Sequence, residues 1–234
     1  MIDKSFNGQV AVAPGKEALA EKLAGDVARH LHQGIEQRGE ATLVVSGGST
    51  PAPFFKALSD IEIDWSKVKV TLADERWVPP DHESSNEKLI RECLFVNQAA
   101  SATFVSLYSD VATPDDGWSV CQQVIESIDR PFDVVVLGMG DDGHTASLFP
   151  DTKGLSEACA LDTEKLCWPM YPTHLKEARM TLTLAALLDC RQLILHMTGQ
   201  SKSDVFNKAL VDGNLPISSV LSAASDRLQV YWTE

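Results

Sequence analysis

The sequence contains no C-x-x-C pair and no H-x-x-x-H, and its five cysteines (Cys93, Cys121, Cys159, Cys167, Cys190) are an odd number. This excludes a disulfide framework or a zinc knuckle as the organising device and leaves reduced, mostly buried thiols. No metal and no cofactor is expected. No stretch approaches the ~20 apolar residues of a membrane span, and the opening MIDKSFNGQV lacks the apolar core of a signal peptide. A cytoplasmic protein is the expectation. Positive charge is scarce: 20 Lys and Arg stand against 33 Asp and Glu, a net charge of −13. That balance argues against nucleic acid or an anionic membrane as partner, while a local basic pocket can still hold a small anion.

Short β-branched runs alternate with helical patterns along the 234 residues. Strands are expected at Gln9–Ala13, Ala41–Ser46, Lys69–Ala73, Phe132–Leu137, Met180–Thr183, Leu193–Thr198 and Leu228–Trp232. A long amphipathic helix is expected from Gly15 to Arg38, where Leu19, Leu23, Val27, Leu31 and Ile35 recur at steps of four. Shorter helices fit Pro51–Leu58, Glu83–Phe95, Gly117–Ile128 and Ser201–Leu210. Pro114–Gly117 and Pro169–Lys176 read as surface loops. The pattern predicts one α/β domain over residues 1–234, with a mostly parallel sheet and helices on both faces. Ligands of such sheets bind beyond the carboxyl ends of the strands. Those ends are Ser46–Pro51, Asp74–Trp77, Gly138–His144 and Gly199–Lys202.

The segment LGMGDDGHTASLFP (137–150) places Gly138, Gly140 and Gly143 at the G-x-G-x-x-G spacing directly after a strand. A dinucleotide turn must launch a long helix, and Pro150 allows about two turns here. Asp141 and Asp142 would also repel a pyrophosphate, so the dinucleotide reading is rejected. What remains is an Asp-Gly-His triplet on a flexible turn, where Asp142 can orient His144 for proton transfer. The alternative is that Asp142 caps a short helix starting near Thr145, with His144 on the surface. No G-x-S-x-G elbow surrounds Ser147, which reads as a helix-packing residue rather than a nucleophile.

SGGSTP (46–51) exposes the backbone N–H groups of Gly47 and Gly48, adds the hydroxyls of Ser49 and Thr50, and precedes a helix with Pro51 in its first turn. No lysine follows the glycines, so a phosphomonoester suits the loop better than a nucleoside triphosphate. Lys202 sits at a helix start, where a cation opposes the helix dipole unless an anion lies between. Arg179 precedes the MTLTL strand within reach of the same anion. Asp74, Glu75 and Arg76 follow another strand, either pairing among themselves or meeting a polar substrate.

SGGSTP, DERWVPPDHESSN (74–86), LGMGDDGHTASLFP, RMTLT (179–183) and TGQSK (198–202) together resemble the glucosamine-6-phosphate isomerase/6-phosphogluconolactonase family, in its order and over most of the chain. The resemblance implies a Rossmann-like fold and metal-free hydrolysis of 6-phospho-D-glucono-1,5-lactone. It makes His144 the base with Asp142 beside it and gives the phosphate to Gly47, Gly48, Ser49, Thr50, Arg179 and Lys202. Arg76 would serve the sugar end, with Asp74, Glu75, Asn86 and Gly140 as further substrate contacts. The segment before Arg179 departs from the family's proline-rich loop. A phosphosugar lactone is the partner expected, for a monomer or small homo-oligomer. The rivals are an amino-sugar phosphate isomerase/deaminase using Asp74 as base and a non-catalytic phosphosugar sensor.

Overall fold

The computed structural model describes residues 1–224 and 226–234. Its strands are β1 (Gln9–Val12), β2 (Ala41–Val45), β3 (Val68–Leu72), β4 (Asp74–Arg76), β5 (Thr103–Val105), β6 (Phe132–Leu137), β7 (Cys167–Met170), β8 (Arg179–Leu182), β9 (Cys190–Thr198) and β10 (Leu228–Thr233). Its helices are α1 (Lys16–Arg38), α2 (Ala52–Ser59), α3 (Asn86–Cys93), α4 (Pro114–Glu126), α5 (Leu155–Ala158), α6 (Leu184–Leu188), α7 (Gln200–Asp212) and α8 (Pro216–Ala224).

Seven strands form a parallel sheet in the order β1-β10-β9-β6-β2-β3-β5. Every residue of β2 and β6 is buried, which explains why ATLVV and FDVVVL read as unbroken runs rather than alternating patterns: helices cover both faces. The step-of-four stripe of α1 does what its spacing dictates, burying Leu19, Leu23, Val27 and Leu31 completely. That helix stops where Gly39 turns left-handed (φ +85°) and gives its N–H to the Ile35 carbonyl.

From β2 the chain winds outward through β3 to β5. It then returns to β6, on the other side of β2, and winds outward through β9 to β10. The direction of winding reverses between β2 and β6, so the loops leaving these two strands part and open a crevice at their carboxyl ends. A small antiparallel sheet, ordered β4-β8-β7, stands beside this crevice. It begins one residue after β3 and is tied to it by Leu182 N–H donating to the Ala73 carbonyl at 2.8 Å.

Several local expectations are corrected. Met180–Thr183 belongs to the antiparallel sheet (as Arg179–Leu182), not the parallel one. Pro114–Gly117 is the first turn of α4, because Thr113 caps it by accepting from Asp116 N–H and Pro114 needs no N–H there. Pro169 lies in β7, an edge strand, where a missing N–H is tolerated. No helix follows Thr145. Ala146 sits at φ +48° and Leu148 N–H reaches back to the Thr145 carbonyl, making a tight reversal instead.

Candidate active site

A cleft of about 310 Å³ occupies the crevice and takes its wall from both sheets. On the parallel-sheet side, the loops after β2 and β6 are strapped at their roots before they part: Ser46 N–H donates to the Val136 carbonyl, and Gly138 N–H to Ser46 Oγ. Gly47, Gly48, Ser49 and Thr50 line the cleft just before α2, as do Gly140, His144 and, from the first turn of α7, Lys202.

His144 Nδ1 lies 2.6 Å from Asp142 Oδ1, which also accepts the His144 backbone N–H at 3.1 Å. A carboxylate on Nδ1 fixes the proton there and leaves Nε2 as the free lone pair. Burial raises the Asp142 carboxyl, but the His144 N–H bonds and charge outweigh it and hold the group below the usual range, so it stays ionised. Asp142 itself does not line the cleft; it stands behind the imidazole. Two of the three glycines now have a reason. A Cβ on Gly140 would overlap His144 Nδ1 and Asp142 Oδ1, and Gly143 adopts φ +77° to complete the turn. Gly140 alone makes room for the imidazole–carboxylate pair, and a Cβ on Gly138 would meet no neighbour. Asp141, rather than repelling a ligand, is tied to Lys202 Nζ at 3.0 Å and Ser201 Oγ at 2.9 Å. The bond from Lys202 chiefly keeps its carboxyl low.

The antiparallel side contributes buried charge. Register places Arg76 opposite Arg179 and Asp74 opposite Thr181. Asp74, 5% exposed, accepts from Ser147 Oγ at 2.5 Å and has Arg179 Nη1 at 3.8 Å. Arg179 is 7% exposed and lines the cleft, yet its Nε has no hydrogen-bond partner. Burial lowers its pKa, opposed by the Asp74 charge. Arg76 Nη1 donates to the Ser84 carbonyl at 2.8 Å and Asn86 Oδ1 at 2.6 Å. Asn86 in turn donates to the Asp74 carbonyl.

Thus the structure gathers Gly47, Gly48, Ser49, Thr50, Asp74, Arg76, Asn86, Gly140, His144, Arg179 and Lys202 on one cleft. The departure before Arg179 does not keep its side chain from the wall. Glu75 is a correction: it faces away and accepts from the N–H groups of Arg76, Asn86 and Glu87 and from Ser85 Oγ. It is a capping group for α3, not a cleft residue. Ser147 is also corrected, since it packs no helix and holds Asp74. Sequence reasoning missed His196, a buried imidazole on β9 that lines the cleft and whose pKa burial pushes down to about 4. Looking only beyond the strand ends hid it; a histidine inside the apolar LILHMT run was the available signal. Among the described residues no group of three or more His, Cys, Asp or Glu side chains converges to hold a metal ion, and no helix is long and apolar enough to cross a membrane.

A reversing parallel sheet with an oriented imidazole and a basic cleft at its carboxyl edge is the layout of an α/β enzyme. The model of the family described as glucosamine-6-phosphate isomerases/6-phosphogluconolactonase matches residues 14–232, and the chain belongs to that family. It is 44% identical over 218 residues to a 6-phosphogluconolactonase of Rhizobium meliloti (strain 1021), covering 92% of this chain and 94% of that one. A 6-phosphogluconolactonase of Pseudomonas aeruginosa is 40% identical over 91% of this chain and 90% of its own. The crystal structure of a 6-phosphogluconolactonase from Shewanella baltica OS155 superposes with a TM-score of 0.93 at 41% identity, over 97% of this chain and 98% of that one.

Proposed function

We propose that the protein hydrolyses 6-phospho-D-glucono-1,5-lactone to 6-phospho-D-gluconate, as in the oxidative pentose phosphate pathway. The relatives' names support the substrate. The observation that carries the reading is the juxtaposition on one cleft wall of an Asp-oriented imidazole with a largely buried arginine whose carboxylate neighbour, Asp74, stands 3.8 Å away. A guanidinium at a cleft with no close carboxylate keeps its outer donors for a bound anion.

The phosphate rests against Arg179, Lys202 and the Gly47–Thr50 loop, whose N–H groups and hydroxyls precede α2. That anchor orients the lactone, and orientation far from the reacting carbonyl supplies a share of the rate. His144 Nε2 takes a proton from water as the oxygen adds to C1. The carbonyl electrons move onto oxygen, giving a tetrahedral oxyanion. Arg76, a cation on the same cleft, is the donor assigned to that oxyanion; the N–H groups of Gly138, Gly140 and Gly143 are engaged by Ser46 Oγ, the His144 carbonyl and the Gly140 carbonyl. The C1–O5 bond then breaks, and the ring oxygen receives the proton back from His144. No nucleophilic side chain takes part, and Ser147 is committed to Asp74.

Freshly prepared lactone, with its unaided hydrolysis subtracted, tests this in a continuous assay of wild type, His144→Ala and Lys202→Ala. His144→Ala should lower kcat by roughly 10²–10⁴-fold while product binding stays nearly intact. Lys202→Ala should mainly raise KM, since it removes binding from ground and transition states alike. Wild-type kcat in His144→Ala overturns the assignment. Ammonia release from glucosamine 6-phosphate would replace it with the deaminase reading, and lactone binding without turnover would leave a sensor.

A further inference from the structure

Phe149 is nearly inaccessible, 3% exposed, at the end of the reversal that follows His144. Because Ala146 turns left-handed (φ +48°) and Leu148 bonds back to Thr145, the chain doubles over and lays the residue 149 ring against the residue 144 ring. Their centroids are 4.2 Å apart with 36° between planes. The same ring lies 5.3 Å from the guanidinium carbon of Arg179. One apolar side chain therefore touches both the imidazole and the arginine.

We propose that Phe149 is a positioning residue whose π face sets the plane of the His144 imidazole and seats the Arg179 guanidinium at a fixed spacing from it. Asp142 grips only the Nδ1 edge of the imidazole; the tilted contact with the Phe149 ring restrains the remainder of its plane. Arg179 is similarly under-constrained, with Asp74 at 3.8 Å and Nε unbonded. The negative face of an aromatic ring also attracts a cation, so it favours the imidazolium formed when His144 takes the proton. Leucine could fill the volume but offers no such face. The inference rests on His144 acting as the base and on Arg179 binding the phosphate.

The test is Phe149→Leu beside Phe149→Tyr, with Phe149→Met as a second apolar variant if the leucine protein folds poorly. Loss of the face should lower kcat about three- to fivefold and raise KM by a few-fold, while tyrosine keeps both within about twofold. The independent readout is the NMR signal of the His144 imidazole protons, which the ring current of Phe149 displaces. In the apolar variants those signals should move toward the positions of an unstacked histidine. Unmoved signals, or wild-type kcat and KM in the leucine and methionine proteins, overturn the proposal. If the signals move while His144→Ala keeps full turnover, the stacking stands and the base assignment is what fails.

Discussion

The two sides of the cleft are built on opposite principles. The parallel-sheet side works through backbone N–H groups, hydroxyls and two partly exposed side chains, His144 at 31% and Lys202 at 21%, beside the buried and uncharged His196. The antiparallel side works through buried charge, with the side chains of Arg179 and Asp74 each 8% exposed. Solvated groups are cheap to hold, so the first side separates chemistry from stability. A buried arginine and a buried carboxylate offset each other's charge even at 3.8 Å, so the second side binds chemistry and stability together. Damage on the first side should appear in kinetics alone, and damage on the second in kinetics and melting temperature.

After His144→Ala, Gly140→Ala gives the strongest effect expected on the solvated side. The Gly140 backbone is not in the left-handed region, so alanine adds no backbone strain; its Cβ instead overlaps His144 Nδ1 and Asp142 Oδ1. Displacing the imidazole should cost kcat nearly as much as removing it, roughly 10²-fold. The melting temperature should stay within a few degrees of wild type. A variant that loses cooperative folding rather than turnover would erase the distinction between the two sides.

Arg179→Met probes the buried side with an apolar chain of similar length. KM should rise by about tenfold, the loss of a charge-assisted contact of ~1.5 kcal/mol or more. Asp74 would be left with Ser147 as its side-chain partner. Stability should fall by about 1–3 kcal/mol, less than for a tight buried pair because the ion pair is long and Nε is already unsatisfied. In a chain of this size that is several degrees of melting temperature. A higher KM with an unchanged melting curve would show that the charge on this side is not structural.

The same division governs what could be read from the residues in order. Strand-end loops are contiguous in sequence, so SGGSTP, the Asp-Gly-His turn and Lys202 were legible as neighbours on one cleft once β2, β6 and β9 were recognised. The parallel core was legible for a related reason: unbroken β-branched runs between amphipathic helices leave few other packings. The antiparallel side depends on β4 pairing with β8 across more than a hundred residues. Nothing local announces a three-residue strand such as Asp-Glu-Arg, and the Asp74–Ser147 bond joins segments separated by 73 residues. Sequence could therefore nominate Asp74, Arg76 and Arg179 but could not say that Glu75 turns the other way. Alternation does say it in retrospect: in a strand, the neighbour of two cleft residues faces the opposite side.

Glu75 offers the smallest effect and the finest test of that division, because it supports the buried side without entering the cleft. Its carboxylate gathers the N–H groups of Arg76, Asn86 and Glu87 and the Ser85 hydroxyl, thereby holding the loop that braces Arg76. Burial nevertheless outweighs those bonds and pushes its pKa up to about 7 from an ordinary 4.5. The folded protein thus holds this proton more tightly than the unfolded chain does. The stabilisation so gained is complete below pH 4.5 and fades as pH rises through about 7. Glutamine keeps the shape and cannot titrate. The stability of wild type relative to Glu75→Gln, from urea melts at intervals between pH 4 and 8, should therefore decline with rising pH. The variant's KM should shift far less than that of Arg179→Met. A flat difference would mean that the hydrogen bonds, not burial, govern the carboxyl and that this side of the cleft keeps its charge at every pH the fold survives.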